Sequence, residues 1–308
     1  MDTRLKLGGL LLVALGAVAC VDPDDKSSNV HDLRVLGMAV ERPELMAPTC
    51  ELTAEALEVF TEEVTFRALL VDPAGGGRAL DYTLWACADP EDTICEDASQ
   101  RLLLAEGTTT AGELAVPIRP GATVLPDGSL LLDKVRQADP YQGYGGLRMP
   151  LVLHVRAGDE AVYAMKRMVF SCPAVPGMAA NQQPVLQGLT LEGAAWEEGE
   201  LPTLRGEGPF VVRANDVSAL EESYVVPGLR QESVSLKEAW VITWHATLGE
   251  FSPEETGGAD FNGEPGRHRT EWEPPEKDAV EQEVTFWAVV RDGRGGSSWL
   301  IRKARWAP

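Results

Sequence analysis

The sequence predicts an all-β protein of two tandem β-sandwich bodies, and three observations carry that expectation. First, 30 glycines and 21 prolines punctuate the 308 residues, a spacing that favours short strands joined by tight turns. Second, apolar residues alternate with polar ones along these short runs, whereas helical periodicity is confined to hints at residues 53–59 and 134–137. Third, the length exceeds one typical domain and suits two.

The N-terminus reads as an export signal. Residues 1–6 carry Arg4 and Lys6, and residues 7–19 are almost wholly apolar, with the run Leu10-Leu11-Leu12-Val13-Ala14-Leu15 at their centre. A stretch of about 13 residues is too short to span a bilayer but suits the core of a cleaved signal. Ala17-Val18-Ala19-Cys20 follows, and this resembles the lipobox of bacterial lipoproteins. The resemblance implies cleavage before Cys20 and a diacylglycerol on its thiol. Ala17-Val18-Ala19 also fits ordinary A-x-A cleavage, which stays open. The cysteine count bears on that choice: of five cysteines, Cys20 is the odd one out, and its lipidation would leave four to pair. No second hydrophobic span occurs in the chain. The expected order is a signal peptide at 1–19, a lipidated flexible tether at 20–31, a first sandwich at 32–173, a linker at 174–183 and a second sandwich at 184–308. Gram-negative lipoproteins with no Asp after the Cys, as here with Val21, are directed to the outer membrane, so that address is the expectation.

In the first body, Leu33, Val35, Met38 and Val40 open an apolar stretch that Pro43 ends. Residues 64–71 form the clearest strand, with Val64, Phe66, Ala68 and Leu70 on one face, and Asp72-Pro73-Ala74-Gly75-Gly76-Gly77 turns the chain. Leu80, Tyr82 and Leu84 alternate next. Residues 151–155 and 161–165 flank a hairpin turn. Residues 114–118 and 130–132 read as short strands, and Pro117 consigns the former to an edge. Cys87 and Cys95 bracket an acidic surface loop that a local disulfide would pin. Cys50 and Cys172 lie by the first and last strands, which are often neighbours in a sandwich. The favoured pairing among the three possible ones is therefore Cys87–Cys95 with Cys50–Cys172. A zinc site is disfavoured, because the seven-residue gap between Cys87 and Cys95 does not match C-x₂₋₄-C and no histidine is near in sequence.

In the second body, residues 185–191, 210–213 and 224–226 read as strands. Trp240, Ile242 and Trp244 share one face of the next, residues 248–266 form a long loop, and Thr270-Glu271-Trp272 begins another strand. Residues 284–290 are apolar on both faces, as a central strand should be, and Asp292-Gly293-Arg294-Gly295-Gly296 turns them back into residues 298–301. Without cysteines, this body must rest on packing, with tryptophan as its main material. Residues 63–72 and 283–292 echo each other (Glu-Val-Thr-Phe-x-Ala, then two aliphatics, x, Asp), which supports one fold class for both bodies. On these features, residues 240–299 resemble the C-terminal half of bacterial immunoglobulin-like and PKD-like surface domains. That resemblance implies immunoglobulin-like sandwiches that space, display or adhere, without catalysis. The first body departs from the antibody-type pattern, since strand 64–71 has no cysteine for an inter-sheet bridge.

The formal charge of −21 repels phosphate backbones and argues against nucleic acid. No hydrolase elbow, zincin, P-loop or complete dinucleotide motif occurs. His154 and His245 read as strand residues and His31 and His268 as solvated ones, with no metal-ligand spacing. Asp260, Asn262 and Glu264 offer oxygen ligands but lack the remaining EF-hand positions. Tyr141 and Tyr144 lie in a Gly-rich turn where an aromatic face could stack on sugar. The expectation is a non-enzymatic, cofactor-free envelope module: membrane-bound through its lipid, with a protein or glycan partner. The alternatives are an accessory lipoprotein of an envelope or transport complex holding a basic partner through its acidic surface, and, remotely, a hydrolase without a recognisable motif.

Overall fold

The computed structural model describes residues 27–51, 53–122, 124–125, 127–141, 143–258, 268–275 and 280–308. Cys20 and the Asp260, Asn262 and Glu264 triplet lie outside them. The chain is all-β, with each body built of two sheets, as expected.

In the first body, β1 (Arg34–Val40), β3 (Val64–Val71) and β6 (Gly112–Ile118) form a three-stranded sheet in the order β1-β3-β6. It packs against a five-stranded sheet of β2 (Glu44–Met46), β8 (Glu160–Ser171), β7 (Leu147–Ala157), β4 (Leu80–Cys87) and β5 (Arg101–Thr109), in that order. Val64, Phe66, Ala68 and Leu70 of β3 meet Met149, Leu151, Leu153 and Val155 of β7 in one core, as period-2 patterning requires. Pro117 sits on the edge strand β6, where its missing N–H costs no ladder bond. β2 runs parallel to the last strand, β8, and this pairing brings Cys50 and Cys172 together.

In the second body, one sheet orders β10 (Ala194–Trp196), β9 (Leu189–Leu191), β12 (Phe210–Ala214), β18 (Arg269–Glu273) and β16 (Glu250–Ser252). The other orders β11 (Thr203–Arg205), β20 (Ser297–Ala307), β19 (Gln282–Arg291), β15 (Val241–Ala246) and β17 (Glu255–Gly257). Their core is aromatic. Trp196, Trp244, Trp272 and Trp306 are fully buried, and Phe286 makes edge contacts with Trp272 at 5.1 Å and Trp196 at 5.2 Å.

Several expectations need correction. Residues 131 and 132, read as strand, begin helix α2 (Leu131–Ala138); α1 (Ala54–Leu57) precedes it in the chain. Three leucines in a row fit either period, and the burial of Leu131 and Val135, four apart, decided for helix. Only residues 189–191 of the expected 185–191 strand pair. The long loop at 248–266 contains β16 and β17, too short to show a pattern of their own. Residues 224–226 belong to a separate hairpin of β13 (Ser223–Pro227) and β14 (Ser233–Lys237), outside both sandwiches.

The tether is corrected as well. Residues 27–30, within the segment expected to be flexible, dock on the second body. Ser28 and Val30 are fully buried, Ala246 N–H donates to Ser28 O and Val30 N–H to Ala246 O, both at 2.8 Å. The segment thus pairs in parallel beside the end of β15, at Ala246, before the chain enters β1 of the other body.

Candidate functional site

The two bodies meet face to face. Leu69 and Val71 alternate with the core residues of β3 and point away from their own sandwich. They pack with Val30 and Leu36 against Trp287 and Val289 of β19, and Trp299 of β20 lies alongside. Gly37 lets the backbones close up, since a Cβ there would lie 2.9 Å from the Trp299 ring. While β1 and β20 approach across this cluster, the two strands that echo each other in sequence both contribute side chains to it. Their doubly apolar character reflects this contact as much as a central place in a sheet.

Beside this apolar contact is a polar node. Asp292, 3% exposed, directly follows β19 and accepts backbone N–H bonds from Arg294, Gly295 and Gly296 and a side-chain bond from Asn181 Nδ2 at 2.7 Å. Asn181, in the expected linker, also donates its backbone N–H to Glu44 of β2 at 2.8 Å. Arg294 lies 3.6 Å from Glu44, 3.2 Å from Glu222 and 3.1 Å from Glu238, and rests over the Tyr224 ring at 4.2 Å. The β13–β14 hairpin adds Tyr144 O–H to Gly228 O and Ser233 O–H to Pro176 O. Residues 174–183 are thus pinned on both sides.

Between node and apolar contact opens a cleft of about 420 Å³ whose lining includes Arg148, Lys166, Arg167, Arg291 and Arg294. β2 pairs only with residues 169–171 of β8, and Lys166 and Arg167, beyond that pairing, line the cleft. Lys166 Nζ donates to Ser297 Oγ at 3.1 Å, and the Ser297 hydroxyl in turn donates to Met38 O. Burial lowers the Lys166 pKa to about 8; Asp292 opposes that shift and Arg291 adds to it. Burial likewise lowers the Arg291 pKa. Arg291 donates to Thr243 Oγ1 at 3.1 Å and to Leu36 O at 3.4 Å. Arg167 donates to Pro90 O at 3.1 Å and lies 3.8 Å from Glu91. Among the described residues, no carboxylate comes within ion-pair distance of Arg148, Lys166 or Arg291.

These cleft residues were not singled out from sequence. A signal was present: Lys166-Arg167 interrupts an otherwise apolar strand, and the 292–296 turn carries an arginine among its glycines.

The structure joins Cys50 to Cys172 and Cys87 to Cys95, the pairing favoured from sequence, with Cα separations of 5.0 and 5.8 Å. The four histidines are scattered. His154 stacks between Trp85 at 5.9 Å and Tyr163 at 4.2 Å on the outer face of the five-stranded sheet, and Arg101 covers Trp85 at 4.7 Å. The ring faces are thereby occupied by one another. His245 Nδ1–H donates to Ser27 O at 3.1 Å, and burial lowers its pKa to about 4, partly offset by that bond. His31 is exposed. His268 is not the solvated residue expected: its Nδ1 is buried without a partner, and burial lowers its pKa. Among the described residues, no group of three metal-ligating side chains occurs. Of the aromatic turn, Tyr144 is committed to the hairpin, whereas Tyr141 is 72% exposed. Among the described residues, no helix is long and apolar enough to cross a membrane.

No protein-family profile matches the chain, and no curated protein matches it in sequence. Among solved structures, Escherichia coli alpha-2-macroglobulin activated by porcine elastase is 8% identical at a TM-score of 0.26, over 91% of this chain and 22% of that one. Dimeric latent PorU from Porphyromonas gingivalis is 9% identical at a TM-score of 0.20, over 91% and 24%. A chimeric titin Z1Z2-Z1Z2 tandem is 6% identical at a TM-score of 0.19, over 89% and 98%. The chain spans about a quarter or less of the first two.

Proposed function

We propose that this protein is a non-catalytic interaction module of the bacterial cell envelope, held at the outer membrane by a lipid on Cys20, with the cleft between its bodies as the binding surface for an envelope partner. The observation that carries the reading is the pair of disulfides, Cys50–Cys172 and Cys87–Cys95, in an all-β chain. Such bonds persist in oxidising, extracytoplasmic compartments, and they leave Cys20 as the fifth cysteine, behind an apolar leader. The docking of residues 27–30 on the second body is compatible with the same reading, since it leaves only residues 21–26 between Cys20 and the docked segment. Acyl chains contribute about 0.8 kcal/mol per buried CH₂, so stable anchoring needs more than one.

The test is fractionation of cells producing the wild type and Cys20→Ser. Wild-type protein is expected with the membranes and the variant in the soluble fraction; a variant still bound to membrane would overturn the anchor. Crosslinking in intact cells would then identify the partner. A second reading, an accessory lipoprotein that holds a basic partner, draws on the charge of −21. Capture that is lost as salt rises would favour it.

A further inference from the structure

We infer that the cleft between the bodies is a binding site for an oxyanion, a carboxylate or phosphate group borne by a small molecule or by the end of a larger one. This rests on the reading of the cleft as the binding surface. The acidic residues outnumber the basic ones 48 to 27, yet five of the basic side chains converge on one cleft of about 420 Å³. A random surface of this composition would surround each cation with carboxylates. Here Arg294 and Arg167 do have carboxylate neighbours, while Arg148, Lys166 and Arg291 reach only neutral acceptors or, among the described residues, none in ion-pair range. The nearby carboxylate of Asp292 has its lone pairs taken by four donors and makes no ion pair with Lys166, although its charge still favours the charged lysine.

A partly buried cation such as Lys166, with no carboxylate in ion-pair range among the described residues, is costly unless a ligand supplies the charge, and the exposed Arg148 and Arg291 lie beside it on the cleft wall. The cations line the cleft from both bodies: Arg148 and Lys166 from the first, Arg291 from the second. The volume suits a small ligand or a single end group. An anion seated there would bridge the bodies and relieve the repulsion between Lys166 and Arg291. Charge-assisted bonds of this kind are about twice as strong as neutral ones.

The experiment is calorimetric titration of the purified protein with inorganic phosphate and with citrate, at about 0.15 M salt to screen non-specific electrostatic attraction. Saturable binding of either supports the site; phosphate alone points to a phosphate-bearing ligand and citrate alone to a carboxylate-bearing one. Lys166→Met, which keeps the apolar stem, is expected to weaken binding about tenfold, and Arg148→Ala, at an exposed position, about threefold. Arg148→Ala is the control should Lys166→Met fold poorly. The inference is overturned if neither anion saturates, or if both variants bind as the wild type does. Either result leaves the Cys20 fractionation untouched, so failure of the ligand and failure of the anchor are read separately.

Discussion

The two bodies have the same layered architecture and hold themselves together by different means. The first has a core of medium-sized aliphatic residues and two disulfides; the second has no cysteine and a core of interlocked tryptophans around Phe286. A long-loop disulfide acts mainly on the unfolded chain, by removing conformations from it. A buried tryptophan acts on the folded state, through the surface it removes from water. The contrast shows that one fold class tolerates either strategy, provided that two sheets can bury one face each.

The same contrast appears in the echoed strand-turns. Asp72 and Asp292 occupy corresponding positions and are both buried. Asp72 pairs with Arg78 at 2.7 Å, and Arg78 is shared with Glu160. Asp292 instead takes three backbone N–H groups of its own turn and Asn181 from the linker. One motif has been put to a local ion pair in one body and to an inter-body anchor in the other.

The largest expected effect comes from Cys50→Ser with Cys172→Ser. Opening a bridge across 122 residues should destabilise the first body by about 4 kcal/mol. Near-ultraviolet dichroism should report the second body's tryptophans unfolding separately and later; a single joint transition would show that the interface couples the bodies more strongly than the disulfide separates them. Trp272→Ala is the mirror experiment. It empties the aromatic core and frees Leu248 O from the indole N–H at 2.8 Å, for a loss of about 3–4 kcal/mol located in the second body. Hydrogen exchange should place the new weakness there and not in β3 or β7.

Next in size is Asp292→Ala against Asp72→Ala. Losing Asp292 leaves several buried donors unsatisfied and should cost about 2–3 kcal/mol, with increased exchange at residues 294–296 and 181. Asp72→Ala should cost about 1 kcal/mol, because Arg78 keeps Glu160 and is itself part exposed. Equal losses would erase the distinction drawn between them.

The smallest effect should be a gain. Lys166 has a pKa of about 8 in the folded chain, below its ordinary 10.5, so the folded state takes its proton less readily than the unfolded one. The resulting penalty is fully present below pH 8 and fades as pH rises towards 10.5, where both states are neutral. Lys166→Met should therefore raise the Tm at pH 7, by the equivalent of roughly 1–2 kcal/mol. It should also flatten the rise in stability between pH 8 and 10.5. A lower Tm would mean that the bond to Ser297 outweighs desolvation. A residue that weakens the fold while lining a cleft is the kind of cost that binding sites carry.

Much of the architecture was legible from sequence. Strands 64–71 and 284–290 announced themselves by alternation and by the Gly-rich turns after them, and the edge position of 114–118 followed from Pro117. The disulfide pairing followed from where strands begin and end. Other elements were illegible for physical reasons. β5 carries Leu102-Leu103-Leu104 without alternation, because both faces of this edge strand are only partly covered. β10, β11, β16 and β17 are three residues each, shorter than any pattern. The docking of residues 27–30 depends on backbone hydrogen bonds to Ala246 and on one buried valine, Val30, too little to form a pattern in sequence.

The sequence by itself determined the class of the fold, the place of its longer strands and a favoured pairing of four cysteines, because alternation, turn chemistry and chain connectivity are local properties. Only the tertiary structure decided what the second apolar face of β3 and β19 was for, and that five cations from strands and turns distant in sequence would share one cleft. Those outcomes depend on how two finished sandwiches rest against each other. That arrangement is set by the shapes of whole surfaces, such as the approach of Gly37 to Trp299, and is not encoded in the period of any one strand.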